Sequence, residues 1–173
     1  MGKHSLEEFI KKENEGVVFA KITKSLKSND VHGNYFPYED YIGKIINSKV
    51  NPLFKQSTIE PINVAFGYFH YGDQLTIVNF KKLAKIINPK EFIAYDNFKS
   101  DRCYDVNSLY VEKVLSLDEI STIDLFRKYM LDDEFFDNIQ ISIKSLKRWK
   151  CNKSVEYLNK CWTEKIGTRE IHA

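Results

Sequence analysis

The sequence predicts an α+β fold, with a mostly antiparallel sheet of about four to five strands, helices packed on one face and a helical C-terminal third. Three observations carry this expectation. Runs of β-branched and aromatic residues recur through residues 1–115, separated by clusters of Gly, Asn, Asp and Pro. Residues 116–166 hold no Gly or Pro and repeat their apolar side chains at helical spacing. The 173 residues, 43% of them hydrophobic, suit a single domain (1–173) with its own core, needing neither disulfide nor metal.

Ser5-Leu6-Glu7-Glu8 reads as a capping box, in which Ser5 meets the Glu8 amide and Glu8 reaches back, and Gly16 stops that first helix. Residues 17–23 are a strand, and 27–35 are a polar loop. Pro37 suits a first helical turn, with Ile42, Ile45 and Ile46 as the stripe of a helix over 37–47. Residues 62–70 and 75–80 read as the arms of a hairpin turned at residues 71–74, with Gly67 as a bulge. A short helix follows over 81–87, and strands over 91–95 and 108–115 flank a polar loop at 96–105. In the helical part, 116–167, Ser121 caps one helix and Asp132-Asp133-Glu134 opens the next. Ile139, Ile141 and Ile143 also alternate, which leaves a strand open at 139–143. A last helix starts at Asn152 or Ser154 and ends at Gly167.

Charge and cysteines exclude several classes. Twenty-six basic and 24 acidic residues give a net charge of +2, too little for a general polyanion binder. The basic residues are 22 lysines and only four arginines, and Arg is the better bidentate reader of phosphates and bases. Cys103, Cys151 and Cys161 form no disulfide framework and no zinc spacing, and read as free thiols in a reducing cytoplasm. The N-terminus lacks the apolar region of a secretory signal, and no apolar run is long enough to span a membrane. No dinucleotide, phosphate-loop, serine-hydrolase or zinc-protease motif occurs. No cofactor or metal is expected.

Two kinds of candidate site remain. His70 lies three residues before Asp73 and beside Tyr71, and an imidazole near a carboxylate is a candidate general base. Asp96, Asp101 and Asp105 cluster in one loop, without the spacing of a calcium loop. The charge balance is also uneven. Residues 118–137 hold Asp118, Glu119, Asp124, Asp132, Asp133, Glu134 and Asp137 against two bases. Residues 144–153 hold Lys144, Lys147, Arg148, Lys150 and Lys153 with no acid, around Trp149. Acids at helix starts and bases at helix ends also suit the macrodipole.

The leading expectation is a small cytoplasmic protein-binding module, of which an immunity or antitoxin-type inhibitor is one form. It would engage its partner, a toxin in that case, through Asp118, Glu119, Asp132, Asp133, Glu134, Asp137, Lys144, Lys147, Arg148, Trp149 and Lys150. One alternative is an enzyme acting on nucleic acid or a small phosphorylated ligand through His70 and Asp73, with Tyr71. Another is a nucleic-acid binder using 144–153, with Trp149 stacking a base.

Overall fold

Ser5 caps the first helix as its sequence predicts: its side chain accepts the Glu8 N–H at 3.3 Å and α1 (Leu6–Asn14) follows. Only half of the capping box forms, because the Glu8 carboxylate turns to His4 instead. Gly16, at φ +97°, then redirects the chain into β2 (Phe19–Thr23), while β1 (Lys3–His4) precedes the helix. The computed structural model describes residues 2–26, 35–98 and 102–172, with side chains as far as residue 167. Residues 27–34 of the expected polar loop, and Asp101, lie outside the described residues.

The helix expected over 37–47 does not form. A 3₁₀ turn at Tyr38–Tyr41 is followed by Gly43 at φ +79°, which breaks any helical run, and Ile45–Ile46 is the short strand β3. Nor is 62–70 a hairpin arm. The strand lies just upstream, β4 (Ser57–Pro61), and the chain then coils through α2 (Ile62–Ala65) and a 3₁₀ turn at Phe69–Tyr71. Burial explains the switch. Ile62, Ala65, Phe66 and Phe69 are all buried, and their spacing is helical. Gly67 therefore sits in a helical turn rather than a bulge.

The rest follows in order: β5 (Gln74–Val78), α3 (Phe80–Ala84), β6 (Ala94–Asp96), β7 (Tyr104–Val106) and β8 (Leu109–Ser116). Then come α4 (Ile120–Lys128), α5 (Asp132–Arg148) and α6 (Asn152–His172). Residues 139–143 are helical, Ser121 lies inside α4 rather than capping it, and α6 runs on through Gly167.

The architecture is α+β, but the sheet is larger than expected. Among the described residues eight strands run in the order β1-β6-β7-β4-β2-β5-β8-β3, and each strand pairing is antiparallel. The extra strands are β1, β3 and β7, each two or three residues long. Helices cover both faces rather than one, and β2 shows why. Its side chains alternate between two cores. Phe19 joins an aromatic nest with Phe9, Phe80, Phe92 and Tyr104, under α1 and α3. Ala20 and Ile22 join Leu75, Phe66, Phe126, Phe135 and Leu146, under α2 and α4–α6.

Polar fasteners close the edges. His4 bridges Glu8 (Nδ1, 2.7 Å) and Asp96 (Nε2, 2.5 Å), tying β1 and α1 to β6. Burial disfavours the imidazolium, but the two carboxylate hydrogen bonds outweigh it and raise the His4 pKa. The start of α6 is capped from afar, by the Asp118 carboxylate accepting the N–H groups of Lys153 and Ser154 at 2.9 and 3.4 Å. No helix of the described residues is long and apolar enough to cross a membrane.

Candidate ligand-binding cleft

The cleft arises because one edge of β2 is left partly unpaired. Toward β5 the strand is in register along its whole length, from Phe19↔Val78 to Thr23↔Gln74. Toward β4 the register holds only for Phe19↔Pro61 and Ala20↔Glu60, after which the strands part. Between them opens a cavity of about 590 Å³, within the range of small-molecule sites. Lys21, Thr23 and Lys24 form one wall, and Thr58 and Glu60 the other. Phe36 and Tyr38 close it from one side, Tyr68 and Tyr71 from the other, and Asn97 and Cys103 reach in beside β7.

Two local features fix the walls. Gly72 packs so tightly on the end of β2 that a Cβ there would lie 2.0 Å from the Thr23 carbonyl oxygen, which only glycine allows. That approach lets the Asp73 carboxylate accept from the Ser25 N–H at 2.8 Å and its hydroxyl at 2.6 Å, holding the strand's exit. Across the cleft, Asp105 accepts from Thr58 Oγ1 at 2.6 Å and from Asn97 Nδ2 at 3.1 Å, and the Tyr38 and Ser57 hydroxyls are 3.0 Å apart.

Glu60 is the anomaly of this site. It is 5% exposed, and among the described residues its carboxyl has no hydrogen bond or ion pair. Burial pushes its pKa up to about 8, and the charge of Lys21 opposes this only in part. The shift favours the protonated acid, which carries one O–H donor and one carbonyl acceptor, and Glu60 lines the cavity. Among the described residues the fully buried side-chain oxygens without a hydrogen bond are Glu39 Oε2 and Gln74 Oε1, not those of Glu60, whose carboxyl reaches the cavity. A perturbed acid in a cleft marks a candidate ligand site.

The sequence-predicted residues meet this cleft only at its rim. Tyr71 lines it and is 55% exposed. His70 is exposed, with its ring 4.1 Å from that of Tyr71. Asp73 is engaged with Ser25, and no hydrogen bond joins it to His70 among the described residues. Of the loop carboxylates, Asp96 holds His4 and Asp105 holds Thr58 and Asn97. No group of three or more His, Cys, Asp or Glu side chains suited to a metal ion exists among the described residues. All three cysteines are free and buried.

Much of the charge in the C-terminal third is engaged within the chain. Asp118 caps α6, Glu119 approaches Lys153 at 3.9 Å, Asp124 accepts from the Tyr157 hydroxyl, and Glu134 accepts from Asn63. Asp132 pairs with Lys165 at 2.9 Å and Arg127 at 3.9 Å. Trp149 donates its indole N–H to the Phe69 carbonyl at 2.7 Å, with Arg148 over its ring, and is half-buried rather than a free stacking platform. Lys150, at φ +60°, forms the left-handed end of α5: its N–H donates to Lys147 O, and the Cys151 N–H to Leu146 O. What remains outward on α5 is a stripe at i, i+4, i+7, i+11 and i+14: Asp133, Asp137, Gln140, Lys144 and Lys147, all exposed.

Glu60 and Lys21 escape a reading of the sequence as a site, while Cys103 lies in the 96–105 loop that the sequence singles out. Glu60 lies in a stretch to which the sequence assigns no element, where a lone carboxylate reads as solvated. The available signal was the alternation of Ser57, Ile59 and Pro61 against Thr58 and Glu60, with Ile59 wholly buried. No protein-family model matches this chain, and no curated protein or solved structure matches it either.

Proposed function

We propose that this chain is a binding protein for a small polar ligand held in the cleft between β2 and β4. The observation that supports it is Glu60, a buried carboxyl without a partner on the wall of a cavity large enough for a small molecule. The ligand supplies hydrogen bonds to this carboxyl that no described residue makes. A cytoplasmic setting, in keeping with three free thiols, is part of this reading. Amide NMR of the full chain against a set of small polar metabolites tests it. Binders are expected to shift the amides of 21–24 and 58–60 and to lose that effect in Glu60→Ala. Shifts confined to other surfaces would overturn it.

The outer stripe of α5 favours a second reading, a protein partner of complementary charge. Among the described residues, Asp133, Asp137, Lys144 and Lys147 take part in no ion pair, and acid and base are segregated along the helix. Such a face speeds association more than it deepens affinity. An inhibitor of the immunity or antitoxin type is the form of this reading in which the partner is a toxin. A stoichiometric protein retained from source-cell lysate by the native chain, and lost on Asp133→Lys with Asp137→Lys, is the expected result. Equal retention by both would remove the stripe from consideration.

A further inference from the structure

We infer that the ligand of the cleft is a nucleotide, a planar base with adjacent hydrogen-bonding groups joined to a phosphate. The inference rests on reading the β2–β4 cleft as a small-ligand site, and three different chemistries of that one cavity support it.

Glu60 supplies the first. A protonated carboxyl presents a donor and an acceptor side by side, and its complement is an edge with an acceptor and a donor side by side. Amide and amino-imine edges of nucleobases have that pattern. A simple alcohol or alkyl amine matches half of it at most. The aromatic walls supply the second. Phe36 and Tyr38, in ring contact with each other, and Tyr68 and Tyr71, likewise in ring contact, line the cavity, and Tyr71 stands exposed beside His70. Aromatic side chains in a lining suit a flat ring, and stacking of a base on an aromatic side chain is tolerant of which base it is. Lys21 and Lys24 supply the third. They lie on the β2 wall, and among the described residues neither takes part in an ion pair. Two ammonium groups repel a cationic ligand and attract a phosphate. A sugar phosphate would use the lysines and leave the aromatic walls idle. An uncharged heterocycle would do the reverse. A nucleotide uses both and Glu60 as well.

Isothermal titration at pH 7 of the full chain with AMP, GMP, CMP and UMP, their nucleosides and inorganic phosphate decides the matter. At least one monophosphate is expected to bind with one-to-one stoichiometry. Its nucleoside should bind about tenfold more weakly, and Lys21→Met with Lys24→Met should abolish that difference. Glu60→Gln keeps a neutral donor and acceptor and is expected to retain binding, whereas Glu60→Ala should lose it by about tenfold or more. Circular dichroism of each variant confirms that the fold is kept. If no nucleotide binds but another small molecule does so in a Glu60-dependent way, the nucleotide assignment falls and the cleft stands. If no molecule binds in a way that depends on Glu60, both fall.

Discussion

The two edges of β2 are made of the same five residues and do different things. On the β5 edge every residue is in register, Leu75, Thr76 and Ile77 are buried, and the Thr23 and Thr76 hydroxyls are 2.9 Å apart. On the β4 edge the register ends after two residues, and polar side chains line the gap. One edge is closed by backbone hydrogen bonds and apolar packing, the arrangement that stabilises sheets. The other holds a buried acid and two lysines apart at a cost in stability. Sites for ligands are commonly built at such a cost, beside a rigid element that keeps them in place.

The largest expected effect is on the closed edge. Leu75→Ala should lose about 2–5 kcal/mol in urea unfolding, because Leu75 is wholly buried between β2 and the α4–α6 layer. A loss below 1 kcal/mol would mean that this edge is not the structural one.

The second effect is on the open edge and has the opposite sign. Glu60 has an ordinary value of 4.5 and is raised to about 8 by burial. Between those pH values the unfolded chain gives up this proton while the folded chain keeps it, so this group's contribution to stability falls as pH rises. Below pH 4.5 there is no penalty, and above about 8 it is complete. Glu60→Gln should therefore lose this part of the pH dependence, keeping that of His4 and Glu13, and at pH 9 be more stable than the native chain by a few kcal/mol. Parallel melting curves at pH 5 and pH 9 would show it; equal pH dependence in both proteins would refute it.

Third, Gly72→Ala should cost about 1–3 kcal/mol, because the new methyl group must displace the Thr23 backbone. The same variant should open the cleft, which NMR would see as shifts at 21–25. Away from both edges, Lys150→Gly is a control that relieves the left-handed backbone at the end of α5 and should stabilise by about 1 kcal/mol. Smallest of all, Tyr71→Ala at the exposed rim should leave stability within about 0.5 kcal/mol while weakening any ligand that stacks there.

The same contrast decided what could be read in advance. The helices that bury a long apolar stripe were legible: α5 shows Phe135, Phe136, Ile139, Ile143 and Leu146 at helical spacing, and all five are buried. So were β5, whose Ile77 and Val78 pack into the two cores, and β8, whose Val111 and Val114 pack into one. Segment 62–70 was misread because Val64, Tyr68 and Phe69 favour strands intrinsically, and the helical spacing of its buried residues won in the fold. The strands β1, β3 and β7 are too short to have a period and exist because a longer partner holds them. The cleft was illegible for a related reason. Lys21, Glu60 and Cys103 come from three separate strands or loops, and only the register of β2 with β4 brings them together. Of the residues singled out beforehand for catalysis, Tyr71 alone lines it.

The register of β2 also bears on how the protein is made. Phe19 pairs with Val78, and Lys3 with Tyr95. Closing loops of such length costs entropy before any ladder bond offsets it, so pairings of this kind form slowly. A growing chain carries β2 with its longer edge bare until residues 74–78 have been synthesised. A bare edge is a template for a strand of any other molecule. For that interval aggregation competes with folding, and low temperature and a slow rate of synthesis should favour a high yield of folded protein.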